Sequence, residues 1–408
     1  MIFLITVSTH YCHNQHMVKD ESIPCGQRHI LVDVTRLAVR VLERKHPTGV
    51  DRVNLAYVRH FRQRAQALVR HQRRWVHVSP GGSQRIFAAL LGEADSPSRM
   101  VRQHVANSYL ARGKASTNGC FLNVGHSGLE QPVYAEEIRR RGLHPVYFLH
   151  DLIPISHPEY CRPGEADKHR QRVRTMLETG RGLILNSQCT QRELIAFAKT
   201  EKLAVPEHIV IPLGADNLPV PDDAAPLAEP YFVMLGTIDP RKNHLFLLHV
   251  WRRLAETMTN PPKLVIIGQR GWECEQVIDL LDRCVPLKGL VLEKPQCNDV
   301  ELSRWLHHAR ALLFPSFTEG YGIPLVEALI RRVPVIASDL PVFREVAGDI
   351  PDYLDPLDGL GWQKVIQEYS QSDHFRRNEQ LHRMANFQAP TWQAHFTELD
   401  GFLRHVFR

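Results

Sequence analysis

No stretch of the chain reaches the roughly 18 consecutive apolar residues that a membrane-spanning helix requires, so no transmembrane helix is expected. The opening run MIFLITV (residues 1–7) has no basic region before it and is shorter than a signal-peptide core. None of the eight cysteines stands in C-x-x-C spacing, which argues against a zinc ribbon or a thioredoxin-type redox pair. A chain of 408 residues can bury its core without disulfides, and a reducing cytoplasm is the expected compartment. There is no repeat of fixed period and no low-complexity tract beyond one proline-rich stretch. Charge of one sign is not in great excess either: the formal charge is +6, which admits a phosphate, nucleic-acid or acidic-lipid partner and selects none. Residues 1–29 have several histidines and little periodicity, and are expected to form a poorly structured extension.

From residue 30 onward, short apolar runs alternate with amphipathic stretches. ILVDV (30–34), WVHV (75–78), FLNVG (121–125), VYFLH (146–150), GLILNS (182–187) and HIVIPLG (208–214) read as buried strands. Val50, Val53, Tyr57, Phe61, Ala65 and Leu68 recur at helical spacing, predicting one helix over 50–69. Residues 215–230 hold four prolines and no periodic face, as a linker does. A second series follows: YFVMLGT (231–237), KLVIIG (263–268), GLVLEK (289–294), ALLFPS (311–316) and PVIAS (334–338). Helices are expected at 243–257, 273–283, 299–310 and 323–332. Continuous apolar strands alternating with helices mean parallel sheets covered on both faces. The expected fold is therefore α/β: a doubly wound domain at 30–214, a second at 231–385, and a last helix in 386–408. Ligands of such domains bind at the carboxyl ends of strands, here in a cleft between the two.

FPSFTEGYGIPLVEAL (314–329) places Glu319 and Glu327 around a glycine-rich turn that follows an apolar strand. A glutamate near a helix start is often there only for the helix dipole. Here Gly320 and Gly322 let backbone amides come close to a ligand, and Pro324 fixes the start of the next helix. A helix start takes an anion such as a diphosphate. Two carboxylates beside it suit hydroxyls, each charge-assisted bond contributing about 1.5–3 kcal/mol. The combination describes a nucleotide sugar.

This stretch resembles the E-x7-E signature of retaining glycosyltransferases of family 4, which have the two-domain GT-B fold. LGTIDPRKNH (235–244), VIIGQRGW (265–272), PVIASDLPVFREVAGD (334–349), PTGVDRV (47–53) and HDLIPISHPEY (150–160) resemble further parts of that family. The resemblance implies that Glu319 contacts the donor sugar and Glu327 the ribose. It implies that Gly320, Tyr321, Gly322 and Ile323 line sugar and diphosphate through their backbone, and that Gly268 and the loop from Gly49 to Arg52 face the donor. Lys242 matches a lysine of the family. Thr237 stands where the family commonly has an arginine, so Arg241 either substitutes for it or is exposed. His150 is a structural strand-end histidine or the family's histidine near the anomeric carbon, with Asp151 orienting it or binding acceptor hydroxyls. Asn186 and Ser187 either touch the ligand or cap a helix.

No two aspartates stand in the Asp-x-Asp spacing with which GT-A enzymes hold a metal. The leaving-group charge is then left to Lys242, Arg241 and a helix start, with no metal and no cofactor expected. The expected activity is transfer of a hexosyl group, with GDP-mannose favoured as donor, to a glycan or lipid-linked saccharide in bacterial polysaccharide synthesis. A sugar-nucleotide epimerase of the same fold and a non-catalytic nucleotide-sugar binder are the alternatives. Residues 36–74 carry eleven Lys or Arg and two acids. They read as a solvated helix face or as a peripheral contact with anionic lipid at the inner face of the plasma membrane. No nucleic-acid module is recognised.

Overall fold

The structure is a computed structural model that describes residues 30–71, 74–111, 119–215 and 224–408. The expected N-terminal extension and half of the expected linker lie outside those residues.

Two sheets organise the chain. The first comprises β1 (Ile30–Asp33), β2 (Ala65–His71), β3 (Arg74–His77), β4 (Cys120–Asn123), β5 (His144–Leu149), β6 (Gly182–Leu185) and β7 (His208–Val210). Its order is β3-β2-β1-β4-β5-β6-β7. The second comprises β8 (Tyr231–Leu235), β9 (Lys263–Ile267), β10 (Val291–Lys294), β11 (Leu312–Phe314), β12 (Val335–Ser338) and β13 (Asp352–Leu354), in the order β10-β9-β8-β11-β12-β13. Pairing is parallel except between β2 and β3. Both sheets are doubly wound, as expected, and their inner strands are mostly apolar because helices cover both faces.

The helices around the cleft are α1 (Thr35–Leu42), α2 (Gly49–Phe61), α3 (Glu165–Thr179), α4 (Gln188–Glu201), α5 (His244–Thr257), α6 (Asp299–His307), α7 (Ile323–Ile330), α8 (Pro341–Ala347) and α9 (Trp392–Val406). The order of each sheet reverses beside its first strand: between β1 and β4 in one, between β8 and β11 in the other. The crevice at such a reversal is where the loops after neighbouring strands diverge and leave room for a ligand.

The helix expected over 50–69 ends at Phe61, and Ala65 and Leu68 belong to β2. Ala67 and Leu68 are both fully buried. A strand covered on both faces shows no alternation, so its apolar residues extended the helical spacing of α2 by coincidence. Helix α9 is capped by Thr391, whose Oγ1 accepts the Ala394 N–H at 3.1 Å. It returns to the first sheet's side of the molecule: Tyr57 Oη bonds His395 Nε2 at 2.9 Å, and the Arg181 guanidinium donates to the Val406 carbonyl.

Candidate functional site: the cleft between the sheets

The loop after β8 turns sharply. Asp239 Oδ1 accepts the Lys242 N–H at 3.2 Å, and Asn243, at φ 62°, donates from Nδ2 to the carbonyls of Pro315 and Pro356. This ties the turn to the loop after β11 and aims both cations at Glu319. Lys242 Nζ lies 2.5 Å from Glu319 Oε1, and Arg241 Nη1 lies 2.7 Å from Oε2. Ser316 Oγ donates to Oε1 at 2.9 Å. Burial alone would raise the Glu319 carboxyl, but the two cations outweigh it and hold it down at about 2. Burial lowers the Lys242 ammonium, with Glu319 opposing. Arg241 is thus not a solvated turn residue: it also donates to the Thr318 carbonyl.

Gly268 is a glycine for packing. A Cβ there would lie 1.9 Å from the Gly236 carbonyl oxygen, so the loops after β8 and β9 can touch only without one. Gly322 caps α7 at φ 102°, and a Cβ would press 2.8 Å from the Phe343 ring. Ile323 opens α7. The buried Tyr321 side chain points away from the turn, and its hydroxyl donates to the Leu213 carbonyl at 3.1 Å.

On the facing side, His150 ends β5 in a buried position. Its Nε2 lies 2.8 Å from the Val124 carbonyl and so carries the proton. Burial lowers its pKa to about 4, keeping the ring neutral. Asp151 does not orient this ring through a hydrogen bond, contrary to one expectation. Its Oδ1 accepts the Ile153 N–H at 3.1 Å instead, stabilising the turn after β5. Asn186 Nδ2 donates to the His150 carbonyl at 2.8 Å, and Ser187 caps α4 by accepting the Thr190 N–H. Asn186 therefore does local structural work, and Ser187 Oγ also donates across the cleft to the Gly320 carbonyl at 3.4 Å. Two histidines that sequence reasoning passed over complete a buried cluster: His126 and His169 lie 5.0 Å from His150 and 5.7 Å from His126, respectively, between ring centres. Each reaches a backbone carbonyl through Nε2. Nothing in GHSG (125–128) or in the middle of α3 marked them beforehand.

The two sides meet. Arg52 Nη1 of α2 lies 2.6 Å from Glu327 Oε1, and Nη2 lies 2.9 Å from Asp299 Oδ1 at the start of α6. Glu345 of α8 accepts the N–H groups of Gln188 and Cys189 at the start of α4. Tyr160 stacks on Phe317, and the Arg162 guanidinium lies over the Trp272 ring. A methyl on Gly49 would lie 3.7 Å from Ile323 Cδ1, so the starts of α2 and α7 face each other. The basic stretch 36–74 is largely paired within the fold. Arg36 and Arg40 share the buried Asp51, Arg62 pairs with Glu93, Arg64 with Asp400 and Arg70 with Asp33. It is not a uniformly solvated face. No described helix is long and apolar enough to cross a membrane.

Comparison with known proteins agrees with this arrangement. Residues 221–350 match the family model described as glycosyl transferases group 1. The chain is 28% identical over 266 residues to the serotype-specific mannosyltransferase WbdA of Escherichia coli, covering 59% of this chain and 32% of that protein. It is 27% identical over 252 residues to the O-antigen chain mannosyltransferase B of Escherichia coli, covering 60% of this chain and 66% of the relative. The chain thus spans about a third of the WbdA length. Among solved structures, Anabaena Alr3699/HepE in complex with UDP and glucose superposes with a TM-score of 0.66 at 16% identity, over 93% of this chain and 99% of that one. The trehalose-6-phosphate synthase OtsA gives 0.60 at 11% identity, over 93% and 99%. The chain has the GT-B fold, and strands β8 to β12 of its second sheet lie in the segment that matches the group 1 glycosyl transferases.

Proposed function

We propose that the protein is a retaining glycosyltransferase. It moves a hexosyl group, mannose favoured, from a nucleotide-diphosphate sugar to a glycan or lipid-linked acceptor in bacterial polysaccharide synthesis. The observation that carries this reading is the meeting of Glu319 and Glu327 with Lys242, Arg241 and Arg52 between two facing helix starts. Such a space suits a diphosphate flanked by hydroxyl-rich groups. The O-antigen mannosyltransferases among its relatives support the sugar and the acceptor class.

In this mechanism the diphosphate lies between the starts of α2 and α7. Lys242 and Arg241 counter the charge that builds on it as the glycosidic bond breaks. Glu319, anionic at any ordinary pH, accepts hydrogen bonds from donor-sugar hydroxyls, and Glu327 accepts them from the ribose. His150 is neutral and cannot act as the acid: with Nε2–H held by Val124, its Nδ1 is an acceptor. The acceptor attacks on the face the diphosphate leaves, and the departing phosphate takes its proton. With these cations in place and no Asp-x-Asp motif, the chemistry needs no metal.

Thermal stabilisation by GDP, UDP, dTDP and ADP, with and without EDTA, tests the donor site. One diphosphate is expected to raise the melting temperature, EDTA to change nothing, and Glu327→Ala to lose most of the gain. Glu319→Ala is expected to lower transfer by about 10- to 100-fold. No shift with any nucleotide in the wild type would sink the proposal.

A further inference from the structure

The cations already assigned to the donor's charge, Arg241 and Lys242, both belong to the second domain. Another guanidinium stands at the start of α2, in the first domain. Arg36 and Arg40, one turn apart on α1, both reach the fully buried Asp51 in the first turn of α2. Arg36 Nε lies 2.6 Å from Oδ1, and Arg40 Nε lies 2.9 Å from Oδ2. Thr48, which precedes that helix, donates its N–H and its hydroxyl to Oδ2 at 2.8 and 2.7 Å.

We propose that Arg36 is a donor-binding residue. It holds the diphosphate from the side of the first domain, while Arg241 and Lys242 hold it from the second. The inference rests on the nucleotide-sugar reading above and deepens it, because that mechanism assigns the diphosphate no cation from the first domain.

Three observations carry it. The first is charge. One cation neutralises a buried carboxylate, and Asp51 has two. The surplus sits at a helix start, which is itself positive. The start of α2 therefore carries net positive charge although its own first turn is acidic. The second is that Arg36 is fixed and open at once. Asp51 takes its Nε, Nη2 lies 3.4 Å from Thr48 Oγ1, and Nη1 has no partner among the described residues. Asp51 is fully buried, but the Arg36 side chain is 36% exposed. A guanidinium held in this way loses little freedom on meeting a phosphate, whose oxygens suit its planar fork. The third is place. A Cβ on Gly125 would lie 3.2 Å from Arg36 Cδ, and Gly125 follows β4. Arg36 thus crosses the crevice between β1 and β4, where the order of the first sheet reverses. Behind burial, its charge is among the causes that lower His150 at the end of β5, which puts the guanidinium on the cleft side. The same Cβ would lie 2.8 Å from Nδ2 of Asn54, a fully buried amide with no partner for either atom among the described residues. An unpaired amide so placed calls for a polar group in this crevice. Gly49, next to Thr48, faces Ile323 at the start of α7, so an anion on Arg36 adjoins the space assigned to the diphosphate.

Calorimetric titration of the full-length chain with GDP, UDP, guanosine and uridine tests this. In Arg36→Gln, Asp51 keeps Arg40 and both Thr48 donors, so the start of α2 stands. The variant is expected to bind the diphosphate about tenfold more weakly, as loss of one charge-assisted contact does, and the matching nucleoside as the wild type does. Its diphosphate affinity is also expected to depend less steeply on salt. Arg40→Gln removes the other cation from Asp51 and is expected to change neither affinity. Equal weakening of diphosphate binding by both variants would mean that Arg36 acts only through Asp51, and would overturn the proposal. So would parallel weakening of nucleoside and diphosphate in Arg36→Gln, which a displaced α2 would produce. Unchanged diphosphate binding in Arg36→Gln with a raised KM for the saccharide acceptor would overturn it too, and give the crevice to the acceptor. If the wild type binds no diphosphate at all, the proposed function fails first, and this assignment with it.

Discussion

A methyl carbon placed on Gly320 would lie 2.8 Å from the His150 carbonyl oxygen and 2.9 Å from Asp151 Cβ. Neither neighbour is the loose end of a long side chain, so the contact cannot be relieved locally. It can be relieved by moving the domains apart, because Gly320 and His150 lie on opposite sides of the cleft. Gly320→Ala is therefore expected to cost transfer heavily, about 100-fold for a displacement on the order of 1 Å, with little change in melting temperature. A large drop in melting temperature alongside the lost activity would locate the strain within one domain instead. The contrast between this glycine and Arg52 shows what could be read from sequence. Glu319, Gly320, Gly322 and Glu327 share one short stretch, and their spacing declared a ligand-facing turn. Arg52 lies within the PTGVDRV stretch, but its partner Glu327 is remote in the chain, and no local pattern encodes a contact across two domains. His126 and His169 escaped for the same reason: each is unremarkable until the fold sets the loop after β4 and helix α3 against the end of β5.

Among elements, the strands were the most legible, because burial on both faces leaves continuous Val, Ile and Leu runs with turn residues at their ends. The helix over 50–69 failed where β2 continues its spacing, and β13 (DYL), opened by an aspartate and only partly buried, offers no apolar run. Helix α4 illustrates what sequence cannot supply. Its start carries the local cap Ser187, which was anticipated, and a second cap, Glu345, from α8 of the other domain. The carboxylate accepts two free N–H groups at the positive end of the helix. It ties the domains on the opposite side of Gly320 from Arg52. Glu345→Ala is expected to lower stability by about 1 kcal/mol, as loss of a helix cap does. It is also expected to enlarge the nucleotide-free particle in small-angle X-ray scattering while leaving the nucleotide-bound one unchanged. Identical scattering from wild type and variant in both states would mean that Arg52 and Tyr321 hold the cleft without it.

At the scale of the whole molecule, an unusual number of histidines are buried and neutral. Burial lowers His77, His150 and His395 to about 4, His244 to about 3, and His126 well below the ordinary value. In the unfolded chain each would titrate near 6.5. The unfolded state therefore binds more protons than the folded state between about pH 6.5 and 4. Stability is complete above that window and falls as the pH drops through it, by about 1.4 kcal/mol per pH unit for each histidine. Glu319, held at about 2 by Arg241 and Lys242 against the effect of burial, contributes its loss at lower pH and does not blur the window. His244 is the cleanest probe. It opens α5 at 1% exposure, and neither ring nitrogen has a hydrogen-bond partner among the described residues. Burial, with the nearby Lys242 charge, keeps it neutral. His244→Phe removes a titrating group and a buried polar one together. Urea unfolding from pH 7 to 4 is expected to show a flatter loss of stability in the variant, by about 1.4 kcal/mol per pH unit. Its stability at pH 7 should be equal or higher, since an unsatisfied buried group costs about 1–3 kcal/mol. Overpacking by the larger ring would lower the whole curve yet still flatten it, so the slope alone decides. A variant curve parallel to the wild type would mean that His244 is charged, or hydrated, in the folded protein.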